Sequence, residues 1–245
     1  HQGLTNIMYG AGLLASAGVV APAAFDELLL EASERLDAEV FDSQHIANVM
    51  HAIGLMAQHG VLVRPESCEG VLVQCVERRA TLAPLALPTA VVTVALLADR
   101  QRGPSTRELD APAPPAKRHF GPLLSECVQR REALQTQGLV NALYSMVVLR
   151  EYHAPSVGPL NAELIRRRPT PAQLVSACWS NASLNTPTKE TRGLLCWMEE
   201  WAHRFTPLLS PHQLCNVGWS LAIFGRLYLP CTFPVPSLYL PCTFP

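Results

Sequence analysis

Gln44-His45-Ile46-Ala47-Asn48-Val49-Met50-His51-Ala52-Ile53-Gly54-Leu55 decides how this chain is read. Ile46, Val49, Met50, Ile53 and Met56 recur at steps of three and four, which places them on one face of an α-helix. The same frame returns at Gln2 to Leu13, at Gln137 to Met146 and at Gln213 to Leu221, with a looser copy at Gln173 to Ser180. Each copy has an aliphatic residue, a spacer, Asn (once Ser), two spacers, an aromatic residue or His, and then a small residue. Recurrence at this spacing predicts a repeat protein whose units bury their apolar faces only by stacking on one another.

The segments between the copies complete the units. Pro22 opens a second helix running to Leu36, where Pro fits because the first-turn N–H has no intrahelical partner. Asp42 or Ser43 caps the Gln44 to Gln58 helix, a turn falls at Gly60, and Pro65 starts the partner helix to Arg79. The third unit begins near Leu87-Pro88-Thr89, with Thr93 in the Asn position and Leu96 in the aromatic position. Its second helix is Pro122 to Leu134. The fourth unit pairs the Gln137 helix with Pro159 to Arg168. The fifth pairs the Gln173 helix with Pro187 to Phe205, and the sixth, from Ser210, has no second helix. The expectation is an all-α, right-handed α-solenoid of about six helical hairpins over residues 1–226, in units of 35–48 residues.

Two stretches stand apart. Residues 99–119 have no apolar period and are rich in Pro, which predicts a loop inserted between the helices of the third unit. Residues 227–245 contain Leu-Tyr-Leu-Pro-Cys-Thr-Phe-Pro twice, and their prolines predict an extended tail. The chain opens at His1, inside a repeat, and reads as part of a longer one.

Composition narrows the function classes. Of the 245 residues 49% are hydrophobic and 16% charged, with a formal net charge of −1, so any polyanion-binding surface must come from charge segregated by face. Leu82 to Ala98 is uncharged but too short for a membrane span, which needs about 20 apolar residues. The eight cysteines form no C-x2-C pair, and Cys178 and Cys215 fall inside repeat helices as small hydrophobes. The Asn181-Ala182-Ser183 sequon also falls in a repeat helix. No H-E-x-x-H, G-x-x-x-x-G-K-S/T, G-x-S-x-G or G-x-G-x-x-G motif is present, so neither an enzyme, a metal nor a cofactor is expected.

The frame resembles the octotricopeptide-type repeat and the related helical repeats of FAST-kinase-like and RAP-domain proteins, whose pattern is L-A-N-x-L-W-A-L-A-x-L. Ile46 to Leu55 and Leu214 to Ala222 match it best, and the resemblance runs from Gln2 to about Arg226. Thr93 and Ser176 depart from the Asn, unit length is irregular, and no RAP segment is in view. The resemblance implies an organellar RNA-binding protein of mitochondria or chloroplasts, including a structural component of a mitochondrial ribosome that contacts rRNA. The alternative is a scaffold that binds only neighbouring proteins of a large complex.

Two groups of residues would carry RNA. Arg78, Arg79, Arg130, Arg131, Arg166, Arg167 and Arg168 recur at the ends of second helices, where stacking would align them into a phosphate-binding edge. The same arginines would also complement the helix dipoles. Asn48, Asn141 and Asn216 could read base edges, or tie neighbouring hairpins by hydrogen bonds. Tyr9, Tyr144, Trp179 and Trp219 fit packing between units.

Overall fold

The computed structural model describes residues 2–19, 22–37, 41–61, 63–102, 113–186, 188–205, 207 and 209–224. Eleven α-helices and no strand are found among them: α1 Gln2–Ser16, α2 Pro22–Asp37, α3 Ser43–Gln58, α4 Pro65–Glu77, α5 Ala86–Arg102, α6 Phe120–Gln129, α7 Thr136–Leu149, α8 Ala154–Arg167, α9 Pro171–Ser183, α10 Lys189–Phe205 and α11 Pro211–Ile223. Short 3-10 turns span Arg79–Thr81 and Pro115–His119. No helix among the described residues is long and apolar enough to cross a membrane.

Local chemistry sets the helix ends. The Asp42 carboxylate accepts from Gln44 N at 2.9 Å and His45 N at 2.8 Å, satisfying two orphan donors of α3. Thr170 with Gln173 and Ser210 with Gln213 form capping boxes at α9 and α11. Gly18 and Gly60 close the turns after α1 and α3 with φ of +80°, a conformation open to glycine for want of a Cβ.

The helices pack in two layers. The odd-numbered ones stack in series, α1 on α3, then α5, α7, α9 and α11. On the other side α2 packs on α4, α6 on α8, and α8 on α10, while the Pro115–His119 turn bridges α4 and α5. Between the layers lies one core that includes Met8, Ile46, Met50, Ile53, Leu87, Val94, Leu143 and Leu174, all buried. Each such side chain contributes about 1.5–3 kcal/mol relative to exposure. Small residues let the odd-numbered helices approach closely: a Cβ on Gly12 would sit 3.0 Å from Ala52 Cα, and one on Gly54 would sit 2.7 Å from Thr93 Oγ1.

Several sequence expectations shift. Thr93 is not in the Asn position. It is buried and donates to Met50 O at 2.8 Å, while the half-buried outer positions of α5 are Thr89, Val92 and Leu96. A small polar residue satisfied the motif, but the phase of burial selects Thr89. Helix α8 begins at Ala154 and takes Pro159 into its interior, because Pro155 already occupies the favoured first turn. Helix α6 ends at Gln129, and residues 130–134 turn instead.

Of the stretch expected as an inserted loop, 99–119, Asp99–Arg102 is the last turn of α5. Pro115–His119 forms a 3-10 turn in which Ala116 and His119 are buried and His119 Nε2 lies 3.1 Å from Glu69 Oε1. Residues 103–112 and the expected tail, 227–245, lie outside the described residues.

Four thiols, Cys68, Cys75, Cys127 and Cys178, are buried, and burial pushes Cys68 and Cys75 up to about 12. They serve as core residues. Asn181 of the sequon is fully buried, in a polar cluster. Asn161 Nδ2 donates to Asn181 Oδ1 at 2.8 Å, Asn181 Nδ2 returns to Asn161 Oδ1 at 3.1 Å, and Thr186 and Thr191 also donate to Asn181 Oδ1.

Candidate functional site

The two layers differ sharply in charge. The odd-numbered helices carry a single carboxylate, Asp99, and two cations, Arg100 and Arg102, all in the last turn of α5. All other helical charges lie on the even-numbered helices. The odd layer therefore presents a surface nearly free of formal charge, whose polar groups are amides, hydroxyls and the imidazoles of His45, His51 and His212.

The candidate asparagines lie on this surface. Asn48, Asn141 and Asn216 are half-buried on α3, α7 and α11. Gln44 Nε2 donates to Asn48 Oδ1 at 2.9 Å, Gln137 Nε2 to Asn141 Oδ1 at 2.9 Å, and Gln2 Nε2 to Asn6 Oδ1 at 2.8 Å. In α11 the amide of Asn216 faces His212 Nε2 at 3.4 Å. All these bonds stay within one helix, so these asparagines do not tie neighbouring hairpins together. The hydrogen bonds between units in this file come from Gln instead: Gln173 Nε2 to Gln137 Oε1 at 3.4 Å, and His45 Nε2 to Gln2 Oε1 at 3.2 Å.

One turn further along each helix sits the aromatic position. Tyr9 and His51 stack with ring centroids 5.5 Å apart; Tyr144 and Trp179 are separated by 6.2 Å, and Trp179 and Trp219 by 6.4 Å. These rings touch from unit to unit, as packing residues do, yet Tyr9 and Trp219 keep 38% and 43% of their surface exposed. Such a file can pack on another surface or stack planar groups. At α5 it is interrupted by Val92.

The candidate arginines lie on the opposite layer, at or just past the ends of α4, α6 and α8, where Arg130 reaches Arg79 O and Arg167 reaches Arg131 O. Most of their guanidinium groups are already engaged. Arg78 Nη1 donates to Phe41 O at 2.7 Å. Arg130 donates to Arg79 O, Ala80 O and Leu82 O at 3.1, 3.2 and 2.8 Å. Arg167 donates to Arg131 O at 3.0 Å, Glu132 O at 2.7 Å and Leu134 O. In each case the acceptors are carbonyls in the turn that follows the second helix of the preceding unit. Those carbonyls lie past the ends of α2, α4 and α6, and a charged donor gives each a stronger hydrogen bond than a neutral one would.

The others are local. Arg79 caps Val76 O at 2.8 Å, and Arg131 caps Val128 O at 3.0 Å. Arg166 binds the Glu163 carboxylate at 2.8 and 2.5 Å, and Arg167 Nε adds a bond to it at 2.6 Å. The hydrogen bond from Arg166, supported by Arg167, holds the Glu163 carboxyl down at about 2. Arg168 is exposed in the left-handed region at φ 54°.

Sequence reasoning missed a further pair of clamps. Arg100 reaches back from α5 to Ala57 O at 2.7 Å and Gln58 O at 3.1 Å, and Arg64 Nε meets Asp26 Oδ2 at 2.8 Å across the starts of α4 and α2. Asp26 and Glu69 recur four residues past Pro22 and Pro65 and pair with Arg64 and Arg118, which was the available signal; Arg100 has no such counterpart. Among the described residues no group of three or more His, Cys, Asp or Glu is placed to hold a metal ion. No protein-family model matches the chain, and no curated protein matches it in sequence.

Proposed function

We propose that the chain is an organellar RNA-binding helical-repeat protein, a right-handed α-solenoid of about six hairpin units that holds single-stranded RNA along its odd-numbered helices. The observation that carries this reading is the file Tyr144, Trp179 and Trp219, flanked by the Asn141 and Asn216 amides on a layer nearly free of carboxylates. Unpaired bases stack on aromatic rings, and amides hydrogen-bond to their edges. A neutral layer does not repel a polyanion. The arginines at the even-helix turns act chiefly as clamps between units, so base contacts rather than a phosphate edge dominate. The repeat resemblance supplies the setting: a mitochondrion or plastid, with rRNA in a mitochondrial ribosome as the strand.

Fluorescence anisotropy of a labelled mixed-sequence single-stranded RNA with the full chain tests this. Trp219→Ala is expected to weaken binding about tenfold, the effect of losing one stacking platform. Absence of binding by the wild-type chain at low salt would sink the reading.

A second reading, a protein scaffold, is favoured by the engagement of Arg78, Arg130 and Arg167 with backbone carbonyls. Crosslinking of the native complex separates the two: RNA joined to the odd-helix layer supports the first, and only polypeptide joined there supports the second.

A further inference from the structure

The edge at which α7 and α9 end differs from its counterpart in the first two units. Helices α1 and α3 run ten residues past their motif Asn, from Asn6 to Ser16 and from Asn48 to Gln58. Helix α7 stops eight past Asn141, at Leu149, and α9 stops seven past Ser176, at Ser183. The shortened ends leave an open recess of about 340 Å³, lined by Val147, Arg150, Tyr152, Ser183 and Leu184. Pockets for small organic groups begin at about this size. Val147 and Ser183 lie one turn beyond Tyr144 and Trp179, so the recess continues directly from the aromatic file.

Its cation is unlike the clamping arginines. Arg150 is exposed, and its guanidinium has no hydrogen-bond or ion-pair partner among the described residues. The neighbouring carboxylate, Glu151, is held by Lys117 at 3.2 Å and so does not neutralise it. The backbone there is also unusual. Arg150 closes α7 in the left-handed region, φ 55° and ψ 36°, where α1 and α3 use Gly18 and Gly60. On the other rim, Asn185, next to Leu184, is left-handed as well, at φ 49°. An L side chain is disfavoured in this conformation, and its presence at a recess is the kind of departure that accompanies a binding role. Tyr152, 48% exposed, supplies a planar face beside the guanidinium.

We infer that this recess is a nucleotide subsite: Arg150 binds one phosphate of a single-stranded RNA, and Tyr152 stacks on the adjoining base. The inference rests on the RNA reading above and names where along the layer the strand's backbone is gripped. Guanidinium is suited to this role because its fork matches phosphate oxygens two at a time.

The test compares wild type, Arg150→Gly, Tyr152→Ala and the exposed even-layer control Arg192→Gln in the full chain. The probe is a labelled mixed-sequence single-stranded RNA, titrated over a range of salt. Arg150→Gly relieves the left-handed backbone, so its thermal midpoint is expected to rise while RNA affinity falls about fivefold. The slope of log affinity against log salt should become shallower by about 0.7, the loss of one single-strand phosphate contact. Tyr152→Ala should weaken binding about tenfold, and Arg192→Gln should match wild type. If wild type binds and Trp219→Ala weakens it, but Arg150→Gly keeps the wild-type affinity and slope, the subsite is wrong and the RNA reading stands. If wild type does not bind at all, both fall.

Discussion

Arg167 Nη2 donates to Glu132 O at 2.7 Å, joining residues 35 apart in sequence, while its Nε is held 2.6 Å from Glu163 Oε1. One guanidinium thus ties α8 to the turn after α6 and is itself fixed by a carboxylate on its own helix. Arg130 and Arg78 repeat the first half of this arrangement at the two preceding junctions.

Arg167→Ala removes several charge-assisted bonds at once and strands three carbonyls in the turn at 131–134. A loss of about 3 kcal/mol is expected, since hydrogen bonds to charged groups contribute about 1.5–3 kcal/mol each and water recovers part of them. Arg167→Lys should recover little, because an ammonium cannot span three carbonyls as the planar fork does. Urea unfolding followed by circular dichroism measures both.

Glu163 makes stability fall in acid. Its carboxyl is held at about 2 in the folded chain, against 4.5 as its ordinary value. A carboxyl lowered by folding contributes stability that is fully present above about pH 4.5 and is lost as pH falls through 2. Glu163→Gln should therefore cost about 2–3 kcal/mol at pH 7 and flatten the decline in stability between pH 5 and 2. Chemical denaturation at a series of pH values is the check; an unchanged acid limb in the variant would refute the assignment.

Asn181→Ala should be among the most damaging single changes. It leaves the buried Asn161 Oδ1 without its donor and removes the acceptor shared by Asn161 Nδ2, Thr186 and Thr191, which keep only Thr191 Oγ1, Asn181 O and Thr188 Oγ1 respectively. An unpaired buried group costs about 1–3 kcal/mol, and with the weakened bonds around it a total of about 2–4 kcal/mol is expected. A thermal midpoint within a few degrees of wild type would show that water replaces the network.

Gly54→Ala tests the close approach of α3 and α5. The added Cβ would meet Thr93 Oγ1 at 2.7 Å and displace the hydroxyl from Met50 O. The expected cost is about 1–3 kcal/mol, despite the higher helix propensity of Ala. The double variant Gly54→Ala, Thr93→Ala should recover part of it, which a double-mutant cycle reads directly.

Much of this fold is legible in the sequence because the signal is local. The period of Ile46, Val49, Met50 and Ile53, the prolines at 22, 65 and 211 and the caps at Asp42 and Ser210 each specify a helix or its start without reference to anything distant. Register between units was less legible: Thr93 fits the motif as well as Thr89 does, and only burial against Met50 separates them. The arginines show the same limit more clearly. Their spacing announces an edge, but whether a guanidinium faces solvent or a backbone carbonyl depends on where the previous unit's turn lies in space. Arg150 carried no sequence signal, since the recess it lines lies where two helices stop a turn early.

The direction of the clamps bears on how the chain is made. Arg78, Arg130 and Arg167 each reach back toward the N-terminus, to carbonyls of the unit synthesised just before. As the polypeptide leaves the ribosome, the second, third and fourth hairpins each close the turn of the one before. These closures wait for no segment far downstream. Contacts confined to adjacent units keep sequence separations short, and short separations favour rapid folding. A protein wired in this way can assemble from its N-terminal end at the pace of its own translation.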